Sequence, residues 1–330
     1  MAAKGEDVAI YFPFFPHLRG AGLLSIKGFR LLVRGLARSL VRWSRVSWFD
    51  VQVPLKMVPV ISDRFIRDAD VIVANHWPTA YSVAKLSSKK GRKFYFIRDI
   101  NRWAGDEELQ LELAACRLPL DKIVVARWIG DELREQLGVD VLGTVSNGMN
   151  MEDFGVMDKR YNDVPVLCMT YADHPPKRME DGLAALRLTK ERHPGVKIVL
   201  FGLNKPGKLP FDAEFHFRPA KDRLRTIYAE SDIFLSSSSQ EGYHNPPREA
   251  MAAGCAVVAT NVGSIPHCTI PGETALVVEP GDVDGMADAM CSLIENPRKL
   301  RKIGCRGHEH IQQFTWAKSA DQLLQMLRHN

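Results

Sequence analysis

The chain has 330 residues, long for one domain and comfortable for two that each bury a core. Its 45% hydrophobic and 25% charged residues are ordinary for a globular protein, and no apolar run approaches the ~20 residues of a membrane span. A net charge of +5 is modest and gives no reason to expect a nucleic-acid partner.

Residues 8–12 predict a first buried strand, followed by a loop containing Gly20 and Gly22. Residues 25–43 predict a helix with two unlike faces. Arg30, Arg34, Arg38 and Arg42 recur every four residues with Lys27 on the same arc, while Phe29, Leu32, Val33, Leu36, Leu40 and Trp43 lie opposite. The apolar face suits packing on a sheet. A stripe of one sign is more than solubility requires, and each cation near an anionic leaflet contributes on the order of 1 kcal/mol.

Residues 46–59 are β-rich, and strands are expected at 70–74, 93–97, 123–126 and 141–145, with a helix at 128–136. Asp68-Ala69-Asp70 has the form of a metal-binding DxD, but it precedes a strand. Ligands of parallel α/β sheets gather at the carboxyl ends, so no metal site is expected there. His76 and Asp99 do follow strands.

A second βα series begins near Asp163. Strands are expected at 166–170, 197–201, 214–218, 233–235 and 256–260, with helices at 182–192 and 224–231. Asp282 reads as the cap of a further helix, and a last helix begins near residues 314–316. The βα alternation in both halves predicts an α/β protein of two Rossmann-like domains facing a central cleft.

The most informative stretch is SSSSQEGYHNPPREAMAAGCAVVATNV, residues 236–262. Asn245 is the expected N-cap of a short helix, Pro246 and Pro247 suit its first turn, and Gly254 ends it. Glu241 on the loop and Glu249 on the helix are separated by seven residues. A loop carboxylate and a helix carboxylate that close can face one ligand, with the helix N-terminus beside them.

This stretch resembles the glutamate-x7-glutamate motif of retaining glycosyltransferases of the GT-B fold, family 4 (glycosyl transferases group 1). The resemblance extends over about residues 121–316, through SNGMNMEDF, LRTIYAESDIFL and GETALVVEPGDVDGMADAM. It implies an acceptor-binding domain at 1–157, a nucleotide-sugar donor domain at 158–312, and a C-terminal helix, 313–330, returning to the first domain. It also implies transfer of a sugar from a nucleotide-diphosphate donor to the hydroxyl of a glycan or lipid-linked acceptor, with the donor as substrate and no cofactor or metal.

In that pattern Glu249 grips the ribose hydroxyls. Glu241 binds the sugar, steadies an oxocarbenium-like transition state or acts as a nucleophile. Lys177 and Arg178 hold the diphosphate, with Lys177 stabilising the charge that builds on the leaving phosphate. Gly202 lies by the base, Tyr243 and Asn245 flank the donor, and Asp99 orients or deprotonates the acceptor hydroxyl. The family's glycine-arginine is replaced by Tyr171-Ala172-Asp173, and Arg98 stands where its histidine aligns. Those departures keep a catalytically silent sugar-nucleotide-binding partner subunit open as an alternative; a GT-B-fold epimerase is a further alternative, without support in the EAMA segment.

The six cysteines form no CxxC and no metal-ligand spacing, and the N-terminus lacks a signal-peptide pattern, so the cytoplasm is the expected compartment. The basic stretch 25–43 adds an expectation of peripheral attachment to the inner face of the plasma membrane. Flotation with anionic liposomes is expected to carry the chain upward; no co-flotation would remove this expectation.

Overall fold

The computed structural model describes residues 1–13, 53–102, 105–155 and 159–329. The expected basic helix at 25–43 and the loop with Gly20 and Gly22 lie outside the described residues. Two compact units are present, one of residues 1–145 with 320–330 and one of residues 146–319. Among the described residues, no helix is long and apolar enough to cross a membrane.

In the first unit β1 (Ile10–Pro13) pairs in parallel with β2 (Leu55–Val58). A four-stranded parallel sheet follows in chain order: β3 (Val71–Ala74), β4 (Arg92–Ile97), β5 (Asp121–Val124) and β6 (Gly143–Thr144). The helix Arg127–Leu137 stops where Gly138 adopts a left-handed conformation at φ 61°, as glycine does without steric cost. Phe94, Ile123 and Val145 pack with Leu327 from the last helix, Trp316–His329.

The second unit carries a six-stranded, all-parallel sheet. Its strands are β7 (Val166–Tyr171), β8 (Lys197–Gly202), β9 (Glu214–Phe217), β10 (Ile233–Ser236), β11 (Ala256–Thr260) and β12 (Leu276–Val278). Their spatial order is β12-β11-β10-β7-β8-β9, so the winding reverses between β7 and β10. That is the doubly wound order, and its ligand crevice lies outside the carboxyl ends of the strands where the order reverses.

Both faces of this sheet are covered, which is why β10 and β11 are apolar runs rather than alternating ones. Side chains still alternate by face. Leu167, Met169, Ile233, Leu235 and Val258 enter one core, while Cys168, Phe234, Val257 and Ala259 enter the other. Asp232 pins the amino ends of β7 and β10: its Oδ2 accepts from the Val166 N–H at 2.7 Å and from Asn162 Nδ2 at 2.8 Å.

Candidate active site

Because β7 and β10 are neighbours, the chain leaving each strand emerges beside the other. After β7 it runs through a tight turn, Pro175–Lys177, into the helix Met179–Arg192. After β10 it runs through three more serines and Glu241 to the helix Asn245–Ala252.

The serines tie the two connections together. Ser237 Oγ donates to the carbonyls of Lys177 (3.0 Å) and Arg178 (3.1 Å), and the Ser239 N–H donates to the Pro176 carbonyl at 2.7 Å. Ser238 Oγ donates to Glu241 Oε1 at 2.7 Å, while the Ser238 carbonyl accepts from Thr260 Oγ1 on β11. Lys177 Nζ consequently lies 2.5 Å from the same Glu241 oxygen.

Burial works against the charged form of Glu241. Against it act His244 in its protonated form, the Lys177 ammonium, and hydrogen bonds from Lys177 and Ser238, which together leave the carboxyl below its ordinary range. His244 is buried, with Nε2 2.8 Å from Ser236 Oγ and 3.6 Å from Glu241 Oε1. Burial pushes its imidazole down to about 4, so it is neutral at pH 7 and the cation paired with Glu241 there is Lys177.

The helix that carries Glu249 begins one residue earlier than the sequence suggests. His244, at φ 70°, occupies the cap position, and Asn245 is the first helical residue. Asn245 therefore does not cap; its Oδ1 lies 3.5 Å from both Asn147 Nδ2 and Arg248 Nη1. Gly254, at φ 77°, follows the helix end as expected. Glu249 Oε2 accepts from the Tyr228 hydroxyl at 3.1 Å. Burial raises the Glu249 carboxyl above its ordinary range, against the opposing pull of Tyr228 and Arg248.

Arg248 is fully buried and, among the described residues, has no acidic hydrogen-bond partner. Its Nη2 donates to the Asn147 carbonyl at 2.9 Å, and its guanidinium lies 4.6 Å from the centre of the Tyr243 ring. The turn after β11 closes the other side: a side chain at Gly263, whose φ is 62°, would press on Glu241 and His244.

The structure thus brings Lys177 and Glu241 into direct contact and sets Glu249 in the second turn of the helix Asn245–Ala252. Arg178 Nε instead pairs with Asp181 Oδ2 at 2.7 Å. Tyr243 is only 8% exposed and packs under Arg248. Gly202 ends β8, where any Cβ would collide with the Tyr171 carbonyl, so the fold alone requires glycine there. Asp99 belongs to the first unit, after β4, where its Oδ1 accepts from the Ile100 N–H at 2.9 Å. Its loop is held by buried Glu112, which accepts from the Asn101 N–H at 3.0 Å.

Sequence reasoning missed His244, Ser238 and Arg248, and took Tyr228 only as part of a longer run. One signal was present. Four consecutive serines at the end of a buried strand demand hydrogen-bond partners nearby.

His244 makes the stability of the second unit pH-dependent. Unfolded, its imidazole titrates near the ordinary value of 6.5; folded, near about 4. Between those values the unfolded chain holds the extra proton, so stability falls as pH drops from ~6.5 towards ~4 and levels off below. Urea denaturation across this window is expected to show a slope that His244→Asn flattens. An equal slope in the variant would contradict the assignment.

A family model described as glycosyl transferases group 1 matches residues 164–296. The D-inositol 3-phosphate glycosyltransferase of Rhodococcus opacus is 34% identical over 109 residues, 33% of this chain and 24% of that protein. The MMP alpha-(1->4)-mannosyltransferase of Mycolicibacterium hassiacum is 28% identical over 235 residues, 68% of this chain and 57% of that protein. The chain therefore spans less than two thirds of the length of either relative. Among solved structures, sucrose-phosphate synthase from Thermosynechococcus elongatus aligns with a TM-score of 0.71 at 18% identity, covering 99% of this chain and 90% of that one. Anabaena HepE, solved in complex with UDP-glucose, aligns with a TM-score of 0.67 at 17% identity, covering 78% of each chain. At such identity the likeness is one of fold. Residues 164–296, which carry Lys177, Glu241 and Glu249, match the glycosyl transferases group 1 model, and the fold is the GT-B architecture of two Rossmann-like units.

Proposed function

We propose that this protein transfers a sugar from a nucleotide-diphosphate donor to an acceptor hydroxyl with retention of anomeric configuration. The observation that carries the reading is the Lys177–Glu241 contact, 2.5 Å between Nζ and Oε1, where the winding of the sheet reverses.

As the sugar–phosphate bond breaks, negative charge builds on the departing diphosphate. An ammonium has three N–H donors, so Lys177 can keep Glu241 and still donate to a phosphate oxygen. Glu241 faces the sugar through Oε2, since Lys177 and Ser238 both bind Oε1. A carboxylate neutralised by an ammonium and held below its usual pKa is a weak nucleophile. This favours a role in binding sugar hydroxyls and steadying positive charge on the ring, with a front-face course, over a covalent glycosyl-enzyme.

Glu249 takes the ribose hydroxyls on Oε1, with Oε2 oriented by Tyr228. In the first unit, Asp99 orients the acceptor hydroxyl. The Anabaena neighbour makes UDP-glucose the first donor to test. The relatives, named for transfer to inositol phosphate and for mannosyl transfer, point to a hydroxyl-rich glycan or phosphorylated acceptor.

The test is release of nucleoside diphosphate from UDP-, GDP-, ADP- and dTDP-sugars, with the product anomer assigned by NMR. One donor is expected to turn over with retention. Lys177→Ala should lower kcat by about 100-fold or more, and Glu249→Ala should mainly raise the donor KM. Nucleotide binding without turnover of any donor would support a silent partner subunit instead.

A further inference from the structure

Among the described residues, only Arg178, Arg218 and His244 have positive φ without being glycine. His244 is the most buried of the three. Its φ of 70° is one that glycine adopts freely and a side chain with a Cβ does not. The imidazole makes no capping hydrogen bond to the helix that follows, so the local backbone gains nothing from having histidine there. A strained residue persists when its surroundings hold it in place, and strain of this kind collects at functional sites.

What the imidazole does is visible in its contacts. Nε2 is 2.8 Å from Ser236 Oγ, at the end of β10, and 3.6 Å from Glu241 Oε1. Serine, histidine and glutamate are the residue types of a hydrolase triad, but that relay needs one ring nitrogen for each partner. Here both contacts fall on the same nitrogen and Ser236 is buried, so no nucleophile is being activated.

We propose that His244 is a positioning residue for Glu241. The ring, braced by Ser236, is the wall against which Oε1 rests while Lys177 and Ser238 hold that oxygen from other directions. Fixing one oxygen fixes the plane of the carboxylate and hence the aim of Oε2. The role rests on the reading of Glu241 as the sugar-facing carboxylate. With the ring removed, the carboxylate gains a space to rotate into, and its aim is lost while the nucleotide-binding groups stay in place.

Glycine at this position separates the side chain from the fold, because it relieves the backbone strain. His244→Gly is expected to keep or raise the Tm, bind nucleoside diphosphate as the wild type does, and lose about 10–100-fold in kcat. His244→Asn, which tolerates a left-handed backbone and restores a polar group, should recover part of that loss. The crystal structure of His244→Gly reads the positioning without an assay: the Glu241 carboxylate should leave its place beside Lys177. Wild-type kcat in His244→Gly, or an unmoved carboxylate, overturns the proposal. A wild-type enzyme that turns over no donor overturns the transferase reading instead, and the carboxylate position in the variant still decides the role of His244.

Discussion

A cation from one strand connection and a carboxylate from another meet at 2.5 Å, and most of the second unit's design follows from that contact. It exists because β7 and β10 are neighbours that end together and send their chains in opposite directions. The ends of such strands offer backbone groups and loop side chains to a ligand, while the strands themselves are buried on both faces. The serine run turns this general geometry into a specific one. Ser237 and Ser239 grip the turn that carries Lys177, and Ser238 grips Glu241 itself.

The two carboxylates of the motif experience opposite environments. Glu241 is held below the ordinary carboxylate range despite its burial, with the Lys177 ammonium as its cation at neutral pH and hydrogen bonds from Lys177 and Ser238. Glu249, with Tyr228 as its hydrogen-bond donor, is raised by the same burial that fails to raise Glu241. Environments that push paired groups apart mark a division of labour. The ion-paired carboxylate suits a place where positive charge develops on a sugar ring. The other suits neutral hydroxyls that donate to it. Arg248, buried between the Tyr243 and Phe314 rings, keeps the helix bearing Glu249 fixed to the Asn147 backbone.

Much of this was legible before any coordinates. The apolar runs that became β10 and β11, the double proline and Gly254 that bound the short helix, and the spacing of Glu241 and Glu249 are local signals. Lys177 was reachable by resemblance to a family motif. The missed features are not local. Ser237 bonds to a carbonyl 60 positions away, and no periodicity announces such a partner. His244 in a left-handed conformation is a property of the backbone that side-chain patterns do not declare, and it moved the helix start away from Asn245. The tie between Arg178 and Asp181, three residues apart, was visible as a helix-spaced pair.

The most direct measurement is a double-mutant cycle on donor binding. Calorimetry would compare the wild type, Lys177→Ala, Glu241→Gln and the double variant, using the nucleotide sugar that the release assay identifies. If the pair acts as one unit on the donor, the double variant should depart from additivity by about 1 kcal/mol or more. Additive losses would mean that Lys177 and Glu241 serve the ligand separately, and would contradict the account.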